Sequence, residues 1–357
     1  MGSAALIVAG RTPARLDAFT SQLRARNVEC TVFSVPGEPT ISAVLDGVRT
    51  AKNAGCEIII GYGGGSALDG AKAIAAFMSN PGDPLDYLEV VGKGNPLTQA
   101  SAPCICIPTT AGTGSEVTRN AVLASREHGV KVSLRSPKMF PLLAVVDPDL
   151  THSVPPSITA GTGMDALCQL IEPFVSNAAN PLTDAVCREG IRRAALWLPP
   201  AYADGSNAQA RENMALASLL GGIALTNAGL GAVHGLAAPL GGMFPVPHGT
   251  VCARLLPVVM KANLRALHAR AKDSPALSRY DEIARLLTGS SSARAEQGAE
   301  WLYRMCSELS VPRLSGFGIT GKDLPAVAEK AQKSSSMKGN PIQLEVEELT
   351  DILKNAL

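Results

Sequence analysis

In its first half the chain alternates short, continuously apolar runs with longer helical ones, and near residue 157 that alternation stops. Residues 4–9, 30–35, 57–61, 103–108 and 142–146 read as strands; 13–26, 41–54 and 67–78 read as helices. Strands that are apolar on both faces and separated by helices belong to a parallel sheet covered on both sides. The first half is therefore expected to be a doubly wound α/β domain. Beyond it come Ala-rich helical segments at 158–174, 181–198, 208–225, 236–241, 325–332 and 346–357. Asp147-Pro148 and Val154-Pro155-Pro156 supply turn chemistry between the two regimes. The expected domains are 1–156, α/β, and 157–357, all-α.

Charge and composition exclude several function classes. Lys and Arg number 32 against 31 Asp and Glu, with no basic stripe, and aromatics are only 4 %, so neither a phosphate backbone nor stacked bases would be held. Nucleic acid is not expected as a partner. No segment approaches the roughly 20 apolar residues that span a bilayer, and the leading apolar run is too short for a signal sequence. No membrane partner is expected, and the location expected is the cytoplasm. The eight cysteines contain no C-x-x-C pair and lie mostly in apolar runs, which predicts buried free thiols in a reducing compartment.

Two loops could bind a ligand. Gly63-Gly64-Gly65-Ser66 follows an expected strand and precedes an expected helix, an arrangement that offers backbone N–H groups and a helix N-terminus to a phosphate. The spacing matches neither G-x-G-x-x-G nor the P-loop, so a tight turn is the competing reading. The second loop, Ile107-Pro-Thr-Thr-Ala-Gly-Thr-Gly-Ser-Glu116, concentrates short hydroxyl donors that could line a ribose and ring pocket, or only cap the next element.

Asp165 and Gln169 lie one helical turn apart on a stretch whose other residues, Met164, Leu167, Leu170 and Ile171, are built for burial. A buried polar pair needs partners. Of the five histidines, His234 and His248 each precede a glycine in an apolar, proline-punctuated stretch. Imidazole, carboxylate and amide oxygen together make a four-donor set for a divalent ion, with satisfied core histidines as the alternative. His128, His152 and His268 sit in polar or Arg/Ala-rich surroundings and read as surface groups.

GGGSALDGAK, IPTTAGTGSEVT, DPDLTHSVPP, GMDAL and the AVHG…PHG pair, in that order, resemble the iron-containing (group III) alcohol dehydrogenases from about residue 4 to the end. The resemblance implies the dehydroquinate-synthase-like architecture: a Rossmann-like dinucleotide-binding domain, an all-helical metal-binding domain and an active site in the cleft between them. It implies hydride transfer between NAD(H) or NADP(H) and an alcohol or aldehyde, in a homodimer. On matching positions, Asp165, His234 and His248 become metal ligands for Fe²⁺, Zn²⁺ or Mn²⁺, with the two histidines at the catalytic centre. Gly63, Gly64, Gly65 and Ser66 become the pyrophosphate loop, with Asp69 one turn on. Thr109, Thr110, Thr113 and Ser115 fall on the ribose and nicotinamide side, and Asn120 and Lys131 on further cofactor contacts.

The chain departs from that pattern at four places. Gln169 stands where the family places its remaining histidine ligand, which predicts a weaker hold on the metal. Ala238 replaces a second family histidine and removes a proton-relay group. Ser34 stands where NAD-preferring relatives carry a carboxylate, so a 2′-phosphate would not be repelled and NADP(H) is as acceptable as NAD(H). The chain also starts at the first strand, without the leading hairpin, which is expected to alter dimer contacts. Two competing functions are a dehydroquinate-synthase-like lyase, disfavoured by few Lys or Arg near the expected ligands, and a degenerate nucleotide-binding protein without metal.

Overall fold

The first strand, β1 (Ala4–Ala9), is buried on both faces from Ala5 to Ala9. Leu6 and Val8 face one hydrophobic cluster, while Ala5, Ile7 and Ala9 face another. The computed structural model describes residues 2–10, 14–89, 91–125 and 130–357; Pro13 and His128 lie outside them. Two compact units are formed, one by residues 1–110 and 115–150, the other by 111–114 and 151–357.

In the first unit β1, α1 (Ala14–Arg24), β2 (Glu29–Ser34), α2 (Ile41–Asn53), β3 (Ile58–Gly63), α3 (Gly65–Ser79) and β4 (Cys104–Pro108) follow in order. After them come β5 (Asn120–Ser125), β6 (Val130–Arg135) and β7 (Leu143–Ala144). The strand order is β2-β1-β3-β4-β7, all parallel. Val44, Val48, Leu68, Ile74 and Phe77 of α2 and α3 cover one face, Leu16 and Phe19 of α1 the other. This is the doubly wound sheet expected from the apolar runs. Register brings Ser34 beside Ala9 and Gly63 beside Pro108, so the loops leaving the strands open along one carboxyl edge, where such sheets bind ligands.

Two details differ from the sequence expectation. The strand expected at 142–146 narrows to Leu143–Ala144, paired only with Ile105 and Cys106. The antiparallel pair β5–β6 has no counterpart in it. Its buried residues, Ala121, Leu123, Val132 and Leu134, alternate with polar or exposed ones, a weaker signal than an unbroken apolar run.

The second unit is helical: α4 (Pro156–Val175), α5 (Pro181–Ala203), α6 (Ala208–Ala228), α7 (Ala232–Met243), α8 (His248–Arg270), α9 (Pro275–Thr288), α10 (Ala295–Glu308), α11 (Leu324–Gln332) and α12 (Val346–Ala356). Helix α4 is buried around nearly its whole circumference. Glycines make that fit: a Cβ on Gly163 would fall 2.2 Å from Leu198 Cδ1, and one on Gly190 2.4 Å from Leu170 Cδ2. No single helix among the described residues is long and apolar enough to cross a membrane.

Helix α7 starts four residues before the segment expected at 236–241 and so includes His234. No local side chain caps it. Instead Asn340 Oδ1 accepts from Ala232 N at 3.1 Å and Glu172 Oε1 from Val233 N at 2.7 Å. Orphan donors at a helix start need such partners, and these come from far along the chain.

Candidate active site and metal centre

At the carboxyl edge of the first unit's sheet, Gly63 ends β3 and Gly64 precedes α3 with no side chain bonded to its first-turn amides. That arrangement suits an anion. A Cβ on Gly63 would clash with Ala67 Cβ at 2.8 Å, and one on Gly64 would press on Thr110 Oγ1 at 3.3 Å. Thr109 N donates to Gly63 O at 2.9 Å, which pins the second loop to the first. Ser66 sits half-buried in the first turn of α3, and Ser34 is exposed at the end of β2.

Asp69, Ser115 and Asn120 meet around a residue to which the sequence reading gave no role, Lys72. Its fully buried ammonium donates to Ser115 O at 2.9 Å, Thr118 Oγ1 at 2.8 Å and Asn120 O, and lies 3.2 Å from Asp69 Oδ1. Asp69 in turn accepts from Ser115 Oγ at 2.6 Å and Val122 N at 2.9 Å. A buried cation persists only with such partners. Lys131, on β6, bonds Glu38 instead. Thr113 belongs with residues 111–114 to the helical unit, apart from Thr109, Thr110 and Ser115.

In the helical unit Asp165, His234 and His248 converge. Asp165 Oδ1 is 3.3 Å from His234 Nε2 and 3.6 Å from His248 Nε2. Gln169, one turn on, donates its Nε2 to Asp165 Oδ2 at 3.0 Å. Two further residues complete the cluster, and sequence reading missed both. Glu172 Oε2 bonds His234 Nδ1 at 2.6 Å, and Cys252 Sγ lies 3.5 Å from His248 Nε2 and 3.9 Å from His234 Nε2. A helical count would have found them: Glu172 is seven residues after Asp165, and Cys252 four after His248, each on the same face.

Asp165 is 2 % exposed, while the His248 side chain is 37 % exposed, so the cluster opens on the His248 side. Burial alone would raise the Asp165 carboxyl, but His248 and His234 hold it below the usual range. Burial works against a charged His234, yet Cys252, Glu172 and Asp165 raise it well above the usual imidazole value. His248 is raised chiefly by Cys252 and Asp165. Burial pushes the Cys168 thiol up to about 11 and Cys252 well up too.

Asp165 Oδ1 and Gln169 Oε1 are buried and have no hydrogen-bond partner among the described residues. A buried unsatisfied acceptor costs about 1–3 kcal/mol, more when charged. A divalent cation would supply Asp165 Oδ1 with that partner, and the two imidazole nitrogens nearby are suitable co-donors, so the residues present fit a metal. Glu172 adds what such a site needs: a carboxylate on the outer nitrogen of His234 turns the Nε2 lone pair inward.

A family profile described as iron-containing alcohol dehydrogenase matches residues 1–148, and its C-terminal counterpart matches 159–357. The chain belongs to the iron-containing alcohol dehydrogenase family. It is 37 % identical to alcohol dehydrogenase 4 of Saccharomyces cerevisiae strain YJM789, over 99 % of this chain and 88 % of that one. It is 38 % identical to 1,3-propanediol dehydrogenase of Klebsiella pneumoniae, over 96 % and 87 %. A crystal structure of 1,3-propanediol oxidoreductase superimposes with a TM-score of 0.92 at 35 % identity, covering 100 % of this chain and 92 % of the other. Sulfoacetaldehyde reductase from Bifidobacterium kashiwanohense, solved in complex with NAD⁺, gives 0.86 at 29 %, covering 100 % and 91 %. With these relatives the family member is an oxidoreductase of the alcohol dehydrogenase type, and the lyase and inactive readings yield to that one.

Proposed function

We propose that this chain interconverts an alcohol and its aldehyde, with the α/β unit (expected at 1–156) binding NAD(H) or NADP(H) and the helical unit (expected at 157–357) holding Fe²⁺, Zn²⁺ or Mn²⁺. The observation that carries the metal reading is Asp165 Oδ1: buried, in no well-formed hydrogen bond among the described residues, and within 3.6 Å of two imidazole nitrogens. The cation supplies a Lewis acid for the substrate oxygen. Asp165, His234 and His248 hold it, with Gln169 braced against Asp165. Glu172 keeps the proton on His234 Nδ1 and so leaves Nε2 for ligation. The exposed edge of His248 gives a small alcohol or aldehyde its approach.

Gly63, Gly64, Gly65 and Ser66 receive the pyrophosphate. Thr109, Thr110 and Ser115 line the ribose and nicotinamide side, and Asp69 fixes Ser115 in place. Asn120 and Lys131 flank the same region. NADP(H) is accepted as well as NAD(H), because Ser34 brings no carboxylate and the nearby Glu38 is tied to Lys131. A homodimer in the cytoplasm is the proposed working form, which sedimentation of the purified protein tests.

The deciding experiment measures metal content in protein purified without chelator, then assays an aldehyde panel with NADH and with NADPH. His234→Ala is expected to lose metal and turnover by more than about 100-fold, since outer partners of ligands alone carry 10–100-fold, while cofactor binding stays. Unchanged turnover in that variant would remove the metal from the reaction.

A further inference from the structure

We propose that Cys252, as thiolate, is the fourth metal ligand of this chain, taking the corner that Gln169 leaves open. The inference rests on the metal reading above and goes beyond it by naming the donor set Asp165, His234, His248 and Cys252. Four donors placed 2.0–2.3 Å from a common centre stand about 3.3–3.8 Å apart along the edges of a tetrahedron. The edges from Asp165 Oδ1 to the two Nε2 atoms are 3.3 and 3.6 Å. Those from Cys252 Sγ are 3.9 Å to His234 Nε2 and 3.5 Å to His248 Nε2. All four donor atoms lie within 4.8 Å of one another.

Gln169 is placed for a different task. Its Nε2 donates to Asp165 Oδ2 at 3.0 Å, and its Oε1, which makes no hydrogen bond among the described residues, faces Gly221 of α6, 3.7 Å from where a Cβ there would stand. The bond fixes the outer carboxylate oxygen and leaves Oδ1 to the metal. The other nearby sulfur is otherwise engaged, since Cys168 Sγ donates to Cys252 O at 3.5 Å. Helix α8 builds the pair of ligands by itself: His248 opens its first turn and Cys252 follows one turn later. On ligation the S–H bond breaks, its proton passes to solvent and the sulfur pair binds the cation. A thiolate in the set favours Zn²⁺ over harder Mn²⁺.

Cobalt substitution tests this on the intact protein without reference to turnover. Co²⁺ added to metal-stripped protein is expected to give visible ligand-field bands and a sulfur-to-cobalt charge-transfer band in the near ultraviolet. In Cys252→Ser the charge-transfer band disappears and ligand-field bands remain, with affinity lowered by more than about 100-fold, beyond the 10–100-fold of an outer partner. Cys168→Ser keeps the band. Adding Gln169→His to Cys252→Ser recovers the affinity without the band, and circular dichroism of the metal-free variants confirms their fold. Ligand-field bands without charge transfer in the unmodified protein, or a band that survives Cys252→Ser, overturn the thiolate while leaving the metal reading intact. Absence of any Co²⁺ binding overturns both.

Discussion

Glu172 shows how much a single buried side chain can organise. One carboxylate oxygen caps the start of α7 at Val233 N and the other holds His234 Nδ1, so it sets both where the helix begins and which nitrogen faces Asp165. Glu172→Gln keeps the shape but weakens the hold on that imidazole. Metal affinity is expected to fall by about 10–100-fold, as for other outer partners of ligating histidines, measured by competition with a chromogenic chelator. Unchanged affinity would show that His234 is oriented by packing alone. At this scale the sequence was partly legible. Asp165, His234 and His248 stood out as polar residues in apolar surroundings. Glu172 and Cys252 did not, because a carboxylate near a helix end and a thiol in an apolar run look ordinary until the helices are packed.

Between elements, the two ends of the second loop are held differently. Lys72 ties α3 to Ser115, Thr118 and Asn120 from a position with no solvent. Lys72→Ala leaves the Asp69 carboxylate without its cation and two carbonyls without that donor, and is expected to destabilise the α/β unit by on the order of 3 kcal/mol, read from its urea transition. A loss below about 1 kcal/mol, the range of exposed pairs, would mean the knot is solvated. Arg270, near the end of α8, clasps Glu348 of α12 at 2.8 and 3.0 Å. That contact holds the Glu348 carboxyl below its ordinary value of 4.5. The folded value is the lower one, so the clasp stabilises above pH 4.5 and its contribution vanishes as pH falls through the folded value. Arg270→Ala should therefore cost less than about 1 kcal/mol at neutral pH, and the difference from the parent should close in acid. A gap that persists there would assign the effect to the Arg270 stem and its bond to Gln343 O at 2.8 Å, neither of which titrates. The start of α7 was beyond sequence reading for a related reason: its caps, Glu172 and Asn340, come from other elements, and capping rules look only at neighbours in the chain.

For the molecule as a whole, the sheet and the helical half were legible because strand and helix periods differ so plainly. The membership of four residues was not. Ala111–Gly114 leave the α/β unit and group with the helices, where a Cβ on Gly112 would fall 2.6 Å from Thr162 Cβ and one on Gly114 2.5 Å from Gly222 Cα. Gly114 also has φ +58°, a conformation that suits glycine. Gly114→Ala is expected to cost at least about 1–3 kcal/mol from overpacking in the helical unit's thermal transition. A wild-type transition would show that the loop can step aside.

That excursion has a consequence for how the protein is made. Domains emerging from a ribosome usually finish one after another, yet here Gly112 and Gly114 are synthesised before Thr162, Ser218 and Gly222, against which they come to rest. The threonine-rich turn stays without its seat until the sixth helix has been translated. Nascent chains stalled ahead of that point should be cut by protease at this turn, and those stalled well beyond it should resist.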